Sequence, residues 1–268
     1  MIARAFALLA TLFLASAATA DQIKLAVTTS FENSGLSKVL LPAIKEDLGL
    51  EVQLLVVGTG QALRLGQAGD VDAILVHSRT AEEQFVSEGS GTHRREIMYN
   101  DFVFIGPADD PAGIADAASA VDVLQKIATA KPAFVSRGDD SGTHKKELGL
   151  WRDAGLEAEG FKGWYRMVGS GMGASLNTAA GLDAYILADR ASWLNFGNKA
   201  GLALLFAGDP VLFNQYAYLP VNPEKHPHVH NDLAVKLEEW LVSDRSAMLI
   251  NSYQIEGETL FTFNARAE

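Results

Sequence analysis

Hydroxyl and glycine residues gather in four short stretches of this chain, each where a β-like run gives way to a helical one. The first is Thr28-Thr29-Ser30 with Asn33-Ser34-Gly35, and the second is Gly58-Thr59-Gly60. The third is Ser136-Arg137-Gly138-Asp139-Asp140-Ser141-Gly142-Thr143, and the fourth is Gly169-Ser170-Gly171-Met172-Gly173. The chemistry they suit is hydrogen-bond donation. A helix start leaves its first backbone N–H groups without internal partners and carries the positive end of the helix dipole. Glycine lets the backbone come close to a ligand, while Ser and Thr add hydroxyls that cap the helix or donate outward. One such loop is ordinarily a cap. Four in one chain can converge on a single oxyanion. Arg137 adds a planar cationic donor, or else pairs at the surface with a neighbouring aspartate. Asp139 and Asp140 run against an anion site, so at least one is expected to point away, holding the loop or pairing with a cation.

Other constellations fail on spacing or setting. Gly169-x-Gly171-x-x-Ala174 with Asp189 twenty residues on formally fits the dinucleotide fingerprint, but it falls late in a chain that reads as exported. Gly138 to Gly142 is one residue short of the phosphate-loop glycine spacing, and His144 follows Thr143 where a lysine belongs. Ser141, His144 and Asp139 or Asp140 have triad composition yet crowd one turn, whereas a triad is assembled from separate elements. No Gly-x-Ser-x-Gly elbow occurs. His226, His228 and His230 alternate in a Pro-containing stretch, a pattern for solvated side chains more than for a metal site.

The elements that carry the loops alternate strand with helix. Ile23–Val27 reads as a strand, Leu36–Leu48 as a helix ended by Gly49, Val52–Val57 as a strand and Gln61–Gln67 as a short helix. Ala133–Val135, then His144–Asp153, repeat the unit, and Tyr165–Val168 with Ala174–Ala180 repeat it again. Such alternation implies an α/β fold with a parallel, helix-covered sheet. Met98–Pro107 and Val211–Val221 are long extended runs, and Asp232–Leu241 reads as a helix with Leu233, Leu237 and Trp240 on one face. If both extended runs cross between lobes, lobe I is 21–101 with 217–268 and lobe II is 102–216. The cleft between them is then lined by loops from each side.

Composition narrows the classes further. The 268 residues are 48 % hydrophobic and 21 % charged, proportions of a globular chain rather than a disordered one. Acidic residues outnumber basic ones 33 to 22, for a formal charge of −11, which disfavours nucleic acid and anionic membrane as partners. The absence of cysteine removes thiol catalysis, iron–sulfur clusters, cysteine zinc sites and a lipoprotein anchor. Residues 1–20 read as a signal peptide: Arg4, an apolar run from Ala5 to Ala15, then Ala18-Thr19-Ala20 before Asp21. The expected location is therefore periplasmic, a space without free nucleotides, and no cofactor is expected.

At the loops the chain resembles the tungstate-binding proteins of Tup-type ABC importers, the TupA family. The residues that carry the resemblance are Thr28-Thr29-Ser30 with Asn33-Ser34-Gly35, Val57-Gly58-Thr59-Gly60-Gln61-Ala62-Leu63, and Val76-His77. Met98-Tyr99-Asn100-Asp101-Phe102-Val103, Gly106-Pro107, Asp110-Pro111-Ala112-Gly113-Ile114, Ser136–His144 and Gly171-Met172-Gly173 add to it. It runs from about residue 24 to the C-terminus. The resemblance implies a type II periplasmic-binding-protein fold, two α/β lobes joined by two hinge crossovers, that captures tungstate or molybdate between them. It implies delivery to the membrane permease of an ABC importer, by a monomeric carrier with no catalytic role. Residue by residue it implies donors at Thr29 and Ser30, at Thr59, at Arg137, at Ser141 and Thr143, and at the backbone of Gly171, Met172 and Gly173. Val27, Phe31 and Ser175 stand where the family is expected to have threonines, and Val27 keeps no hydroxyl. Two other readings are phosphate or sulfate as the ligand, and an exported hydrolase built on Ser141.

Overall fold

A computed structural model describes residues 21–139 and 141–265; the expected signal peptide, and Asp140, lie outside the described residues. The chain begins with β1 (Asp21–Thr28), α1 (Thr29–Ser34), α2 (Ser37–Leu48), β2 (Leu50–Val57), α3 (Thr59–Ala68), β3 (Ala73–Val76), α4 (Arg79–Ser87) and β4 (Arg95–Pro107). It continues with α5 (Ala120–Ala130), β5 (Phe134–Ser136), α6 (Gly142–Asp153), β6 (Tyr165–Met167), α7 (Met172–Leu182), β7 (Tyr185–Asp189), α8 (Arg190–Leu194) and β8 (Leu202–Phe206). The last segment holds β9 (Phe213–Pro220), α9 (Asn231–Leu241), α10 (Asp244–Ser252), β10 (Gln254–Ile255), β11 (Glu258–Thr259) and β12 (Thr262–Phe263).

Two sheets share one strand. In the first, β1 runs parallel to β2 and β3, and β9 lies antiparallel between β3 and β4. In the second, β5 runs parallel to β6 and β7, while β7 and β8 pair antiparallel with β4. β4 passes from one sheet to the other within a single step: Asp101 pairs with Phe213 in the first, and Phe102 with Asp189 in the second. The return strand β9 pairs in the first sheet from Phe213 onward, ahead of the return at 216/217 expected from the sequence.

Alternation along β1 explains how the first sheet is covered on both sides. Ile23, Leu25 and Val27 pack with Leu40 and Ile44 of α2, and Ala26 packs with Ala62 and Leu63 of α3. The second sheet has its own apolar core around Trp151, which sits edge-on to Phe134 at 5.4 Å and to Phe161 at 4.9 Å between ring centroids. Such tilted aromatic pairs add to the area they bury.

The helices start earlier than periodicity suggests, and the difference bears on function. Thr28–Gly35 is expected as a loop, yet Thr29–Ser34 forms α1, because the Thr28 hydroxyl accepts from the Phe31 backbone N–H at 3.2 Å and caps it. Likewise α3 starts at Thr59, α6 at Gly142 and α7 at Met172, each ahead of the apolar pattern. Apolar spacing detects the buried stripe of a helix, while caps fix its first turn. The hydroxyl and glycine residues are thus first-turn residues, whose N–H groups have no intrahelical acceptor.

Candidate anion-binding site

The four loops approach one another across the two sheets. A cavity of about 310 Å³ opens between α1 and α7. Thr29, Ser30, Arg137, Gly171, Met172 and Gly173, all expected as ligand contacts, line it. Thr59, Ser141 and Thr143 do not line it. Thr59 is buried at the start of α3, and its hydroxyl has no partner. It faces α6 from the other lobe: a Cβ placed on Gly142 would lie 3.6 Å from Thr59 Oγ1 and 2.7 Å from His77 Cε1. Thr143 is buried in the first turn of α6. The Met172 side chain is buried beneath α7, which leaves the backbone of that turn toward the cavity.

Ser30 sits in a hydroxyl cluster. Its Oγ lies 2.9 Å from Thr28 Oγ1, 3.0 Å from His77 Nε2 and 3.2 Å from Tyr216 OH. Burial lowers the His77 imidazole to about pKa 4, so it is neutral at neutral pH and adds no charge here. Its Nδ1 is buried without a partner, as is Arg137 Nε. Among the described residues, eight buried side-chain polar atoms have no partner, and five of them belong to the strand-to-helix junctions: Thr59 Oγ1, His77 Nδ1, Arg137 Nε, Ser170 Oγ and Asp189 Oδ2; the others are Arg94 Nη2, Asn100 Nδ2 and Ser246 Oγ. Buried polar groups are normally satisfied, so a cluster of orphans marks a place built for a polar guest.

In the third loop Asp139 has a structural role, while Asp140 lies outside the described residues. Asp139 Oδ2 accepts from Arg137 Nη2 at 2.5 Å, and Asp139 Oδ1 accepts from the Ser141 hydroxyl at 2.5 Å. Burial works against the charged carboxyl, but the Ser141 hydrogen bonds and the Arg137 charge outweigh it and hold Asp139 below the usual carboxylate range. Asp139 therefore braces the loop and aims the arginine. Ser141 also accepts from the His144 backbone N–H at 3.1 Å, capping α6. Replacing Ser141 by alanine is expected to destabilise the fold by about 1 kcal/mol through loss of that cap. A thermal melt unchanged from wild type would show that the cap carries no weight.

That geometry corrects the hydrolase reading. The hydroxyl of Ser141 is engaged with Asp139 and a backbone amide, while the His144 ring faces Ser136 Oγ at 3.2 Å and Glu147. No serine–histidine pair forms between Ser141 and His144. The alternating histidines also have structural work: His226 Nε2 and His228 Nε2 reach the carbonyls of Gln67 and Gly69 at 3.0 and 2.9 Å, and His230 Nδ1 pairs with Asp72. Among the described residues no group of His, Asp and Glu is arranged to hold a metal ion.

The departures from the family pattern have clear places. Val27 is buried in the core of the first sheet, and Phe31 packs against the Tyr216 ring at 6.4 Å. Ser175 spends its hydroxyl on the Ser170 and Gly171 carbonyls. Residues that sequence reasoning missed are Asn33, Asp189 and Ser192, all lining the cavity. Asp189 and Ser192 belong to a fifth strand-to-helix turn, where Asp189 Oδ1 accepts from Ser192 N at 2.8 Å. The Asp-x-x-Ser spacing after the β-like run Tyr185–Asp189 is the signal that marks it.

Comparison with known proteins places the chain. Residues 15–245 match the PBP superfamily domain. A tungstate-binding protein TupA of Peptoclostridium acidaminophilum is 45 % identical over 247 residues, which is 91 % of this chain and 86 % of that one. The solved tungstate-binding protein TupA of Desulfovibrio alaskensis G20 superposes with a TM-score of 0.85 at 42 % identity, covering 92 % of this chain and all of that one. A solved structure titled as the tungstate ABC transporter of Geobacter sulfurreducens gives a TM-score of 0.79 at 46 % identity, covering 87 % and 98 %. The hydroxyl-bearing first turns, the shared strand β4 and these likenesses agree: the chain belongs to the PBP superfamily and, within it, to the TupA family.

Proposed function

We propose that this protein is the substrate-binding component of an ABC importer and that its cargo is tungstate, with molybdate a second ligand of the same charge and shape. The observation that carries the reading is the cavity of about 310 Å³ in which hydroxyls, an arginine and first-turn N–H groups face one another. Tungstate at neutral pH is a fully deprotonated dianion and only accepts hydrogen bonds, so a wall of donors suits it. Thr29, Ser30, Arg137 and the backbone at Gly171–Gly173 are the contacts we assign. Ser141 caps α6, while Thr59 and Thr143 stand buried in the first turns of α3 and α6 and do not line this cavity. A hydrogen-phosphate ligand would call for an acceptor; Asp139 is committed to Arg137 and Ser141, and Asp189 Oδ2 is the acceptor left in the lining, so competition with phosphate is the discriminating measurement. The overall charge of −11 does not oppose this, because surface charges are screened within about 8 Å at physiological salt.

In this reading the lobes swing about β4 and the segment before β9, residues 1–20 direct export to the periplasm, and the loaded monomer hands its anion to a membrane permease. Isothermal titration of the purified protein tests the assignment, with sulfate and phosphate as competitors. Tight one-to-one binding that neither competitor displaces at equal concentration is expected. Displacement by equimolar phosphate, or no heat with a folded protein, would overturn it.

A further inference from the structure

Among the described residues Asp189 is the one carboxylate that lines the cavity, and it is 1 % exposed. Its two oxygens differ. Oδ1 accepts the Ser192 N–H at 2.8 Å and caps α8, whereas Oδ2 has no partner. An ionised carboxylate beside a dianion would be repelled, and Arg137, whose charge acts on it, is shared with Asp139, which it holds at 2.5 Å. Arg190, next in the chain, is committed to Asp101 at 2.8 and 2.6 Å. From β9 the group facing Asp189 is the buried Tyr216 hydroxyl, which burial keeps neutral. The first turn of α7 brings no titratable side chain. On α1 the acidic residue Glu32 accepts from the Ser37 hydroxyl at 2.8 Å.

We propose that Asp189 takes up one proton from solvent when the dianion enters, and then donates the new Oδ2–H to an anion oxygen. This rests on the tungstate-carrier reading and makes Asp189 a specificity-determining contact. The proton converts a carboxylate acceptor into a carboxylic-acid donor and removes one negative charge from the closed site. It also separates ligands. A fully deprotonated tetrahedral dianion is matched by the acid form, while an anion that carries its own proton loses that advantage. Burial already pushes the Asp189 carboxyl above the usual carboxylate range, against the pull of Ser192 and Arg137, so the proton is inexpensive to add. His77, lowered to about 4, does not titrate in the relevant range.

The test is tungstate affinity against pH for the wild type and for Asp189→Asn. Asparagine keeps the cap through its carbonyl oxygen and offers an amide donor where Oδ2 stands. For the wild type, Kd is expected to rise with pH, by at most about tenfold per unit, with up to one proton taken up per anion in buffers of different ionisation heat. Asp189→Asn should lose the slope and the proton uptake, and bind about tenfold or more tighter than wild type at the alkaline end. A flat wild-type profile, an equal slope in the variant, or a folded variant that no longer binds would overturn the proposal while the carrier reading stands. Failure of the wild type to bind tungstate at any pH would remove both.

Discussion

Gly142→Val is expected to lower tungstate affinity by about 3 kcal/mol, roughly a hundredfold, while leaving the protein folded. Gly142 opens α6 in one lobe and meets His77 of the other, where an added Cβ would stand 2.7 Å from Cε1 and 3.1 Å from Nδ1 of the ring. The ring cannot swing aside cheaply. Ser30 holds Nε2 at 3.0 Å, and the fully buried Tyr216 ring lies 4.7 Å away between centroids. The lobes must therefore part to admit the larger side chain, and the first turn of α6 withdraws with them. The contact lies outside the apolar clusters, so a normal melting curve with weak binding is the expected pair of results. Scattering should show tungstate contracting the wild type and leaving the variant unchanged. A variant that contracts and binds like wild type would show that this contact does not limit closure.

Arg137→Ala should cost a similar amount, about 3 kcal/mol in tungstate affinity by titration calorimetry. A charge-assisted hydrogen bond to the anion is one part of that figure. Asp139 is the other: once its partner is gone, an ionised carboxylate held below the usual range faces the anion uncompensated. The two parts separate in a double-mutant cycle, because Arg137→Ala combined with Asp139→Ala should recover some of the loss. Arg137→Lys should fall between, since an ammonium supplies charge without the planar fork. Affinity unchanged in Arg137→Ala would remove this residue from the site.

Much of the fold was legible because strand–loop–helix units announce themselves twice, once in apolar spacing and once in Ser, Thr and Gly at the junctions. β4, a long extended run in the sequence, leaves one sheet at Asp101 and joins the other at Phe102. First turns were less legible. Thr28 at the head of α1 looks like any loop hydroxyl until its hydrogen bond to Phe31 N is seen. The site was legible residue by residue but not in depth. Thr29, Ser30 and Arg137 line the cavity, whereas Thr59 and Thr143, of the same type and setting, are buried and do not line it. Only three-dimensional crossing decides which of two similar turns reaches that cavity. Asp189 was hidden for a different reason: an acidic residue at a helix start reads as a cap, and here one oxygen caps while the other is left over.

The strand order also governs when each half can form as the chain emerges. β3, complete by Val76, finds one of its two neighbours only in β9, where Ala73 pairs with Pro220 and Val76 with Ala217. The parallel trio of β2, β1 and β3 must therefore wait with one edge bare until nearly the whole chain has arrived. The second sheet needs nothing beyond Phe206 and can assemble first. Pairings this distant along the chain slow folding. Under the export proposed for this chain such a delay is useful, because the N-terminal strands cannot close their sheet before β9, ending at Pro220, is made.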